Sequence, residues 1–212
     1  MKKEEKYYSR FKIEEKIINI LIGKNPNEYK GTYIDIGAAT PNRCNNTYYY
    51  YLKGWKGMLV EPRQKFVGLI RKVRPNDVFE QVSLMDYDGE IEMYQNAPKG
   101  SPMGIEYVEQ GRKNPYVAKC ITTTTLLEKH PDFKEPDFIS LDIATGEEKM
   151  LKGCDFNIFK PKVMCIEYMD SRRKTDYRPN WEYLILPYYD VRHIEPWDIY
   201  YVRKDYKRRG ID

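Results

Sequence analysis

Apolar residues near the start of the chain recur at helical spacing: Phe11, Ile13, Ile17, Ile18, Leu21 and Ile22 stand among Lys and Glu. This pattern predicts an amphipathic helix over residues 3–23. "GKNPNEYKG" then breaks it, so residues 1–29 read as a helix and linker ahead of one domain spanning 30–212. From there short apolar strands alternate with helical segments. "TYIDIG" (32–37), "KGMLVEP" (56–62), "DVFEQVSLM" (77–85), "DFISLDI" (137–143) and "KVMCIEY" (162–168) are the expected strands. "NNTYYYYLKG" (45–54), "RQKFVGLIRKVRP" (63–75), "TTLLEKH" (124–130) and "GEEKMLKGC" (146–154) are the expected helices. "GEIEMYQN" (89–96) reads as extended. Strands alternating with helices of this length predict an α/β fold with a mostly parallel, covered sheet. The end differs: "YYDVRHIEPWDIYYVRKD" (188–205) reads as two strands around Pro196, an antiparallel hairpin on the sheet edge.

Residues 95–120 are the least regular portion and read as a long surface insertion, a candidate lid or substrate loop. In the tyrosine run, Tyr48, Tyr51, Leu52 and Trp55 share one helical face, which predicts core packing there and exposure of Tyr49 and Tyr50.

Composition narrows the class. A chain of 212 residues, 41% hydrophobic, supports one core of ordinary size. Net charge is +4, a weak field for a polyanionic partner, although "SRRK" (171–174) and "RKDYKRRG" (203–210) concentrate positive charge late in the chain. Neither a membrane span nor a secretion signal is legible, which predicts a cytoplasmic protein. Cys44, Cys120, Cys154 and Cys165 lack CxxC spacing and read as mostly buried thiols rather than zinc ligands or disulfides. His130 and His193 read as structural, and no grouping has metal-ligand spacing, so no metal is expected.

The candidate chemistry lies where strands end. In an open parallel sheet, ligands sit outside the carboxyl ends of strands. The first strand brings Asp35, Gly37 and Ala38 to that edge, and the fourth brings Asp142. Gly37 permits close backbone approach. Asp35 and Asp142 have an alternative role as caps of the turns that follow them. Glu61 ends the second strand at about the spacing from Gly37 at which an acid accepts ribose hydroxyls. "GAATPN" keeps only the first glycine of a pyrophosphate-binding loop, so the pocket suits a nucleoside without phosphates. S-adenosylmethionine is such a molecule, and its sulfonium tolerates nearby carboxylates.

"YIDIGAATPNRCNNTYYYYLKGWKGMLVEP", "SLMDYDGEIEMY", "TTTLLEKH", "DFISLDIATGEEKMLKGCDF" and "PKVMCIEY" together resemble the FkbM-type family of S-adenosylmethionine-dependent methyltransferases. The likeness runs in order from about residue 31 to 168, with "WDIYYVRKD" (197–205) similar to the family's closing strand. It implies a Rossmann-like class I methyltransferase fold and methyl transfer, commonly onto an oxygen of a sugar, glycan or other small-molecule acceptor. Position by position, it implies that Asp35 and Gly37 belong to the glycine motif, Asn46 and Thr47 open the first helix, and Glu61 with Pro62 forms the ribose motif. Asp86 falls where the family contacts adenine, with Ser83 or Met85 as the alternative register. Asp142 matches the signature aspartate and is the candidate to polarise an acceptor hydroxyl, with Glu167 facing the acceptor as a second candidate.

Two departures accompany the likeness. Pro41 replaces a second glycine, and Ala144-Thr145 replaces the Glu-Gly of the signature, removing a carboxylate that orients acceptor or cofactor. The expected reading is therefore a small-molecule or glycan O-methyltransferase. The alternatives are an RNA methyltransferase at a cap or ribose 2′-hydroxyl, using the basic runs and exposed tyrosines, and a non-catalytic binding protein on the same fold.

Overall fold

The computed structural model describes residues 8–10, 14, 19–25, 27–94, 115–143, 146–170 and 175–206. Most of the predicted N-terminal helix, residues 95–114 of the predicted insertion, Ala144-Thr145 and the basic runs 171–174 and 207–210 lie outside them.

In chain order the elements are α1 (Asn19–Ile22), β1 (Thr32–Ile36), α2 (Tyr48–Leu52), β2 (Lys56–Val60), α3 (Gln64–Val73), β3 (Val78–Glu80), β4 (Ser83–Leu84), β5 (Gly89–Tyr94) and β6 (Pro115–Ile121). They continue with α4 (Thr123–Lys129), β7 (Phe138–Leu141), α5 (Glu147–Lys152), β8 (Val163–Glu167), β9 (Met169–Asp170), β10 (Thr175–Asp176), α6 (Arg178–Ile185), β11 (Tyr189–Ile194) and β12 (Asp198–Arg203).

Among the described residues, seven strands form one sheet in the order β11-β12-β8-β7-β1-β2-β3. The pairings from β8 through β7, β1 and β2 to β3 are parallel, and β12 runs antiparallel to both β8 and β11. Alternation along the strands sends side chains to two apolar layers. Ile34, Ile36, Met58, Val60, Ile139, Leu141, Met164 and Ile166 face Leu126 and Leu127 of α4, Met150 and Leu151 of α5, and Trp181 and Ile185 of α6. On the other face Tyr33, Phe138, Val163 and Cys165 pack with Leu21 and Ile22 of α1 and Tyr49 and Tyr50 of α2. Leu59 meets Phe66 and Ile70 of α3 there. Each such side chain contributes about 1.5–3 kcal/mol relative to exposure. A mostly parallel sheet, helices on both faces and a closing antiparallel hairpin are the features of the Rossmann-like class I methyltransferase fold.

Four local expectations are corrected. The strand predicted over 77–85 is divided: Val78–Glu80 joins the main sheet, while Ser83–Leu84 enters a small sheet of order β4-β6-β5. Residues 115–120 belong to a strand rather than an irregular insertion, because β6 pairs along the whole length of β5. Helix α6 forms where no helix was expected. Its Pro179 occupies the first turn, where a missing N–H costs nothing, and Trp181 and Ile185 bury one face. In α2 the core residues are Tyr49 and Tyr50, at 3% and 0% exposure, whereas Leu52 is 51% exposed. The helix ends at Leu52 and Gly54 adopts φ +80°, so Trp55 leaves the helical face extrapolated from Tyr48, yet it is buried as expected, at 4% exposure. Among the cysteines, Cys120 and Cys165 are buried and Cys44 is exposed. No helix among the described residues is long and apolar enough to cross a membrane.

Candidate active site

The carboxyl ends of β1 and β7 frame a small cleft, open to solvent, whose walls include Gly37, Ala38, Asn46, Ser140 and Asp142. Gly37 is dictated by close approach: its φ is +87°, and a Cβ there would lie 1.9 Å from the carbonyl oxygen of Asp142. The two strand ends are also tied by Asp142 N–H to Ile36 O at 3.0 Å, and Gly37 N–H to Val60 O at 2.9 Å ties β1 to the end of β2. The glycine-poor loop that follows is strained, with Ala39 at φ +42° and Cys44 at φ +49°. Asn46 crosses the cleft floor, its Nδ2 donating to Ser140 Oγ at 3.2 Å.

Asp35 and Thr47 lie in a buried network outside the lining of this cleft. Asp35 Oδ2 accepts from Asn45 Nδ2 and from Thr47 Oγ1, each at 2.7 Å. Arg74, 1% exposed, donates to Thr47 Oγ1 at 2.9 Å, to Asn45 Oδ1 at 3.2 Å and to the Pro41 carbonyl at 3.4 Å. Burial pushes the Asp35 carboxyl above its usual range, and Arg74, Thr47 and Asn45 oppose that shift. Pro41, the departure from the glycine pattern, thereby anchors the loop to this network.

Glu61, at the end of β2, is fully buried. Its Oε1 accepts from the Arg63 backbone N–H at 2.9 Å and Arg63 Nε at 2.7 Å, and its Oε2 from Ala39 N–H at 2.9 Å and Arg63 Nη2 at 2.8 Å. Pro62 beside it is half-buried. Ser83 is buried in β4, while Asp86 sits exposed in the turn beyond it. Two residues missed from sequence stand near Glu61. Arg63 was readable as the first cation after the Glu-Pro pair. Tyr116 was hidden in the segment read as loop, and burial, countered by Arg63, pushes its hydroxyl up to about 12.

Asp142 and Glu167 come together. They end neighbouring strands, and the Glu167 carboxyl is held well above the usual carboxylate range by burial, by the Asp142 charge and by a hydrogen bond to Asp142. Asp198 stands opposite Glu167 in the β12–β8 register. Its carboxyl is pushed up to about 7 by burial and by Asp142. Glu147, the buried first residue of α5, turns back to accept from Ile143 N–H at 3.1 Å. Among the described residues Arg10 faces the group: its Nη1 lies 3.5 Å from Glu167 Oε1, with its guanidinium 4.2 Å from the Trp197 ring centroid. The described residues contain no group of three His, Cys, Asp or Glu arranged to hold a metal ion.

No curated protein matches this sequence. Among solved structures, a TehB-like S-adenosylmethionine-dependent methyltransferase from Corynebacterium glutamicum is similar at 9% identity and TM-score 0.49, covering 88% of this chain and 87% of that one. The precorrin-6y C5,15-methyltransferase from Geobacter metallireducens is similar at 12% identity and TM-score 0.45, covering 88% of each chain. The 1,6-didemethyltoxoflavin-N1-methyltransferase from Burkholderia thailandensis is similar at 10% identity and TM-score 0.46, covering 91% of this chain and 77% of that one. The profile of the methyltransferase FkbM domain matches residues 35–197, which span the cleft, the buried network and the paired carboxylates. The chain belongs to the FkbM family of methyltransferases, and its methyl donor is S-adenosylmethionine.

Proposed function

We propose that this methyltransferase acts on a hydroxyl of a sugar, glycan or other small molecule. The observation that supports it most directly is Asp142 in the cleft wall, with Glu167 at the end of the neighbouring strand β8, its carboxyl raised by burial and by the Asp142 charge. Glu167 then acts as a donor to Asp142 and fixes its orientation. Asp142 accepts the hydrogen bond of an acceptor hydroxyl and so orients one oxygen lone pair into the cleft. It can also take the hydroxyl proton as the new bond forms.

The residues present suit the donor. When bound, S-adenosylmethionine supplies an activated methyl group on a cationic sulfur. Asp142 in the cleft wall favours that cation, Asn46 and the backbone at Gly37 and Ala38 offer polar groups along the cleft, and Glu61 supplies an acceptor for ribose hydroxyls. Displacement at a methyl group is governed by alignment, which a rigid cleft between two strand ends provides.

The test is calorimetric titration with S-adenosylhomocysteine, followed by methyl-transfer assays on sugars and small alcohols, and in parallel on capped and uncapped RNA. Transfer to a hydroxyl substrate that Asp142→Asn abolishes supports the assignment. Transfer to RNA alone replaces the acceptor class. Saturable binding with no transfer on any acceptor means a binding protein on this scaffold.

A further inference from the structure

The acid at the end of β2 is already satisfied within the protein. A carboxylate offers about four lone-pair sites, and Glu61 uses four: two for backbone N–H groups and two for the Arg63 side chain. The pair is sealed, with side-chain exposure of 8% for Arg63 and 0% for Glu61. The guanidinium lies 4.5 Å from the centroid of Phe66. Arg63 Nε and Nη2 reach one carboxylate oxygen each, the two-pronged arrangement in which guanidinium and carboxylate match best. A ribose diol presents the same pattern, two neighbouring O–H donors.

We propose that Arg63 sets the affinity of the cofactor site by occupying the Glu61 lone pairs that the ribose hydroxyls take. Binding is then an exchange of one two-pronged donor for another. The inference rests on the reading of Glu61 as the ribose acid. The backbone bonds from Ala39 and Arg63 hold the carboxylate in place during the exchange, so only the Arg63 side chain has to move. The fraction of molecules with the guanidinium withdrawn multiplies the intrinsic affinity, and observed binding is weaker by that factor.

The experiment is calorimetric titration of the full chain with S-adenosylhomocysteine, with thermal denaturation alongside, for wild type, Arg63→Met, Arg63→Lys and Glu61→Gln. Arg63→Met keeps an apolar stem against Phe66 and removes the side-chain donors. Its Kd is expected to fall at least tenfold, while the ligand-free protein melts lower and gains more from ligand than wild type does. Arg63→Lys, a point charge without the fork, is expected between the two. An Arg63→Met Kd equal to or above that of wild type overturns the proposal. If that variant does not fold, Arg63→Lys decides: tighter binding than wild type supports the exchange, and equal or weaker binding overturns it. Glu61→Gln separates the ribose role of the acid from the exchange with Arg63. Unchanged binding there removes both the ribose reading and the exchange, whereas weakened binding with no gain in Arg63→Met removes the exchange alone.

Discussion

Arg74 joins Asp77 to Asp35 beneath the cleft: Nε lies 2.7 Å from Asp77 Oδ2, and Nη1 lies 3.8 Å from Asp35 Oδ2. Tyr33 completes the network, donating to Asp77 Oδ2 at 2.8 Å and accepting from Arg74 Nη2 at 2.6 Å. Burial raises both carboxyls, and Arg74 is the leading influence that brings them down. Arg74→Met leaves two buried acids uncompensated and should cost about 3–5 kcal/mol in urea unfolding. A loss below about 1 kcal/mol would mean that the network is not a major support of the fold.

The two residues Gly37 and Ala39 should respond oppositely to exchange. Gly37→Ala forces a Cβ onto the Asp142 carbonyl in a left-handed conformation and should destabilise by at least about 2 kcal/mol while abolishing cofactor binding. Ala39 adopts a left-handed φ without being glycine, so Ala39→Gly should be neutral or stabilise by up to about 1 kcal/mol. Chemical denaturation and a binding titration on both variants measure the contrast.

The carboxyl groups of Glu167, at the end of β8, and Asp198, at the start of β12, make stability depend on pH. Asp198 protonates at about 7 in the folded chain, against the ordinary aspartate value of 3.8. The folded state therefore binds more protons than the unfolded state between about pH 4 and 7, and stability falls as pH rises through that window. Glu167, raised in the same direction, extends the fall to more alkaline pH. Asp198→Asn should flatten the profile between pH 5 and 8, read from unfolding midpoints. A midpoint that rises over this range in wild type contradicts the assignment.

Asp142→Asn and Glu167→Gln should separate the two roles proposed for the pair. Asp142→Asn is expected to lower methyl transfer by about 10²–10⁴-fold with a smaller effect on S-adenosylhomocysteine affinity. Glu167→Gln retains a donor toward Asp142 and should keep most of the activity. Equal losses in both variants would assign them one shared function.

The parallel sheet was legible because each strand is a short apolar run closed by Gly, Pro or a charge, and helices of matching length separate the runs. The carboxyl edge followed from it, and with it the positions of Asp35, Glu61, Asp142 and Glu167. What the sequence marks is where a side chain leaves the backbone, not what it turns toward. Asp35 and Asp142 carry the same local signature, yet one points to Arg74 and the other faces the cleft, because a partner from α3 reaches only the first. Tyr49 and Tyr50 illustrate the same limit. A helix of five residues is too short for periodicity to select its buried side, and packing against Phe138 and Trp55 selects it instead. Likewise β6 was hidden because its partner β5 is separated from it by a long stretch, so local pattern alone offered no pairing.

The position of β12 between β8 and β11 constrains how the molecule is made. Synthesis delivers β8 first, then the outermost strand β11, and only afterwards the strand that fills the gap between them. While residues 198–203 are still in the ribosome, the backbone edge of β8 has no neighbour on that side and Met164 and Cys165 lack their cover from Tyr200 and Tyr201. An unpaired apolar edge of this kind recruits other chains. Stalled or truncated products ending before β12 should therefore be the aggregation-prone species, and the last strand acts as the closing stave of the sheet.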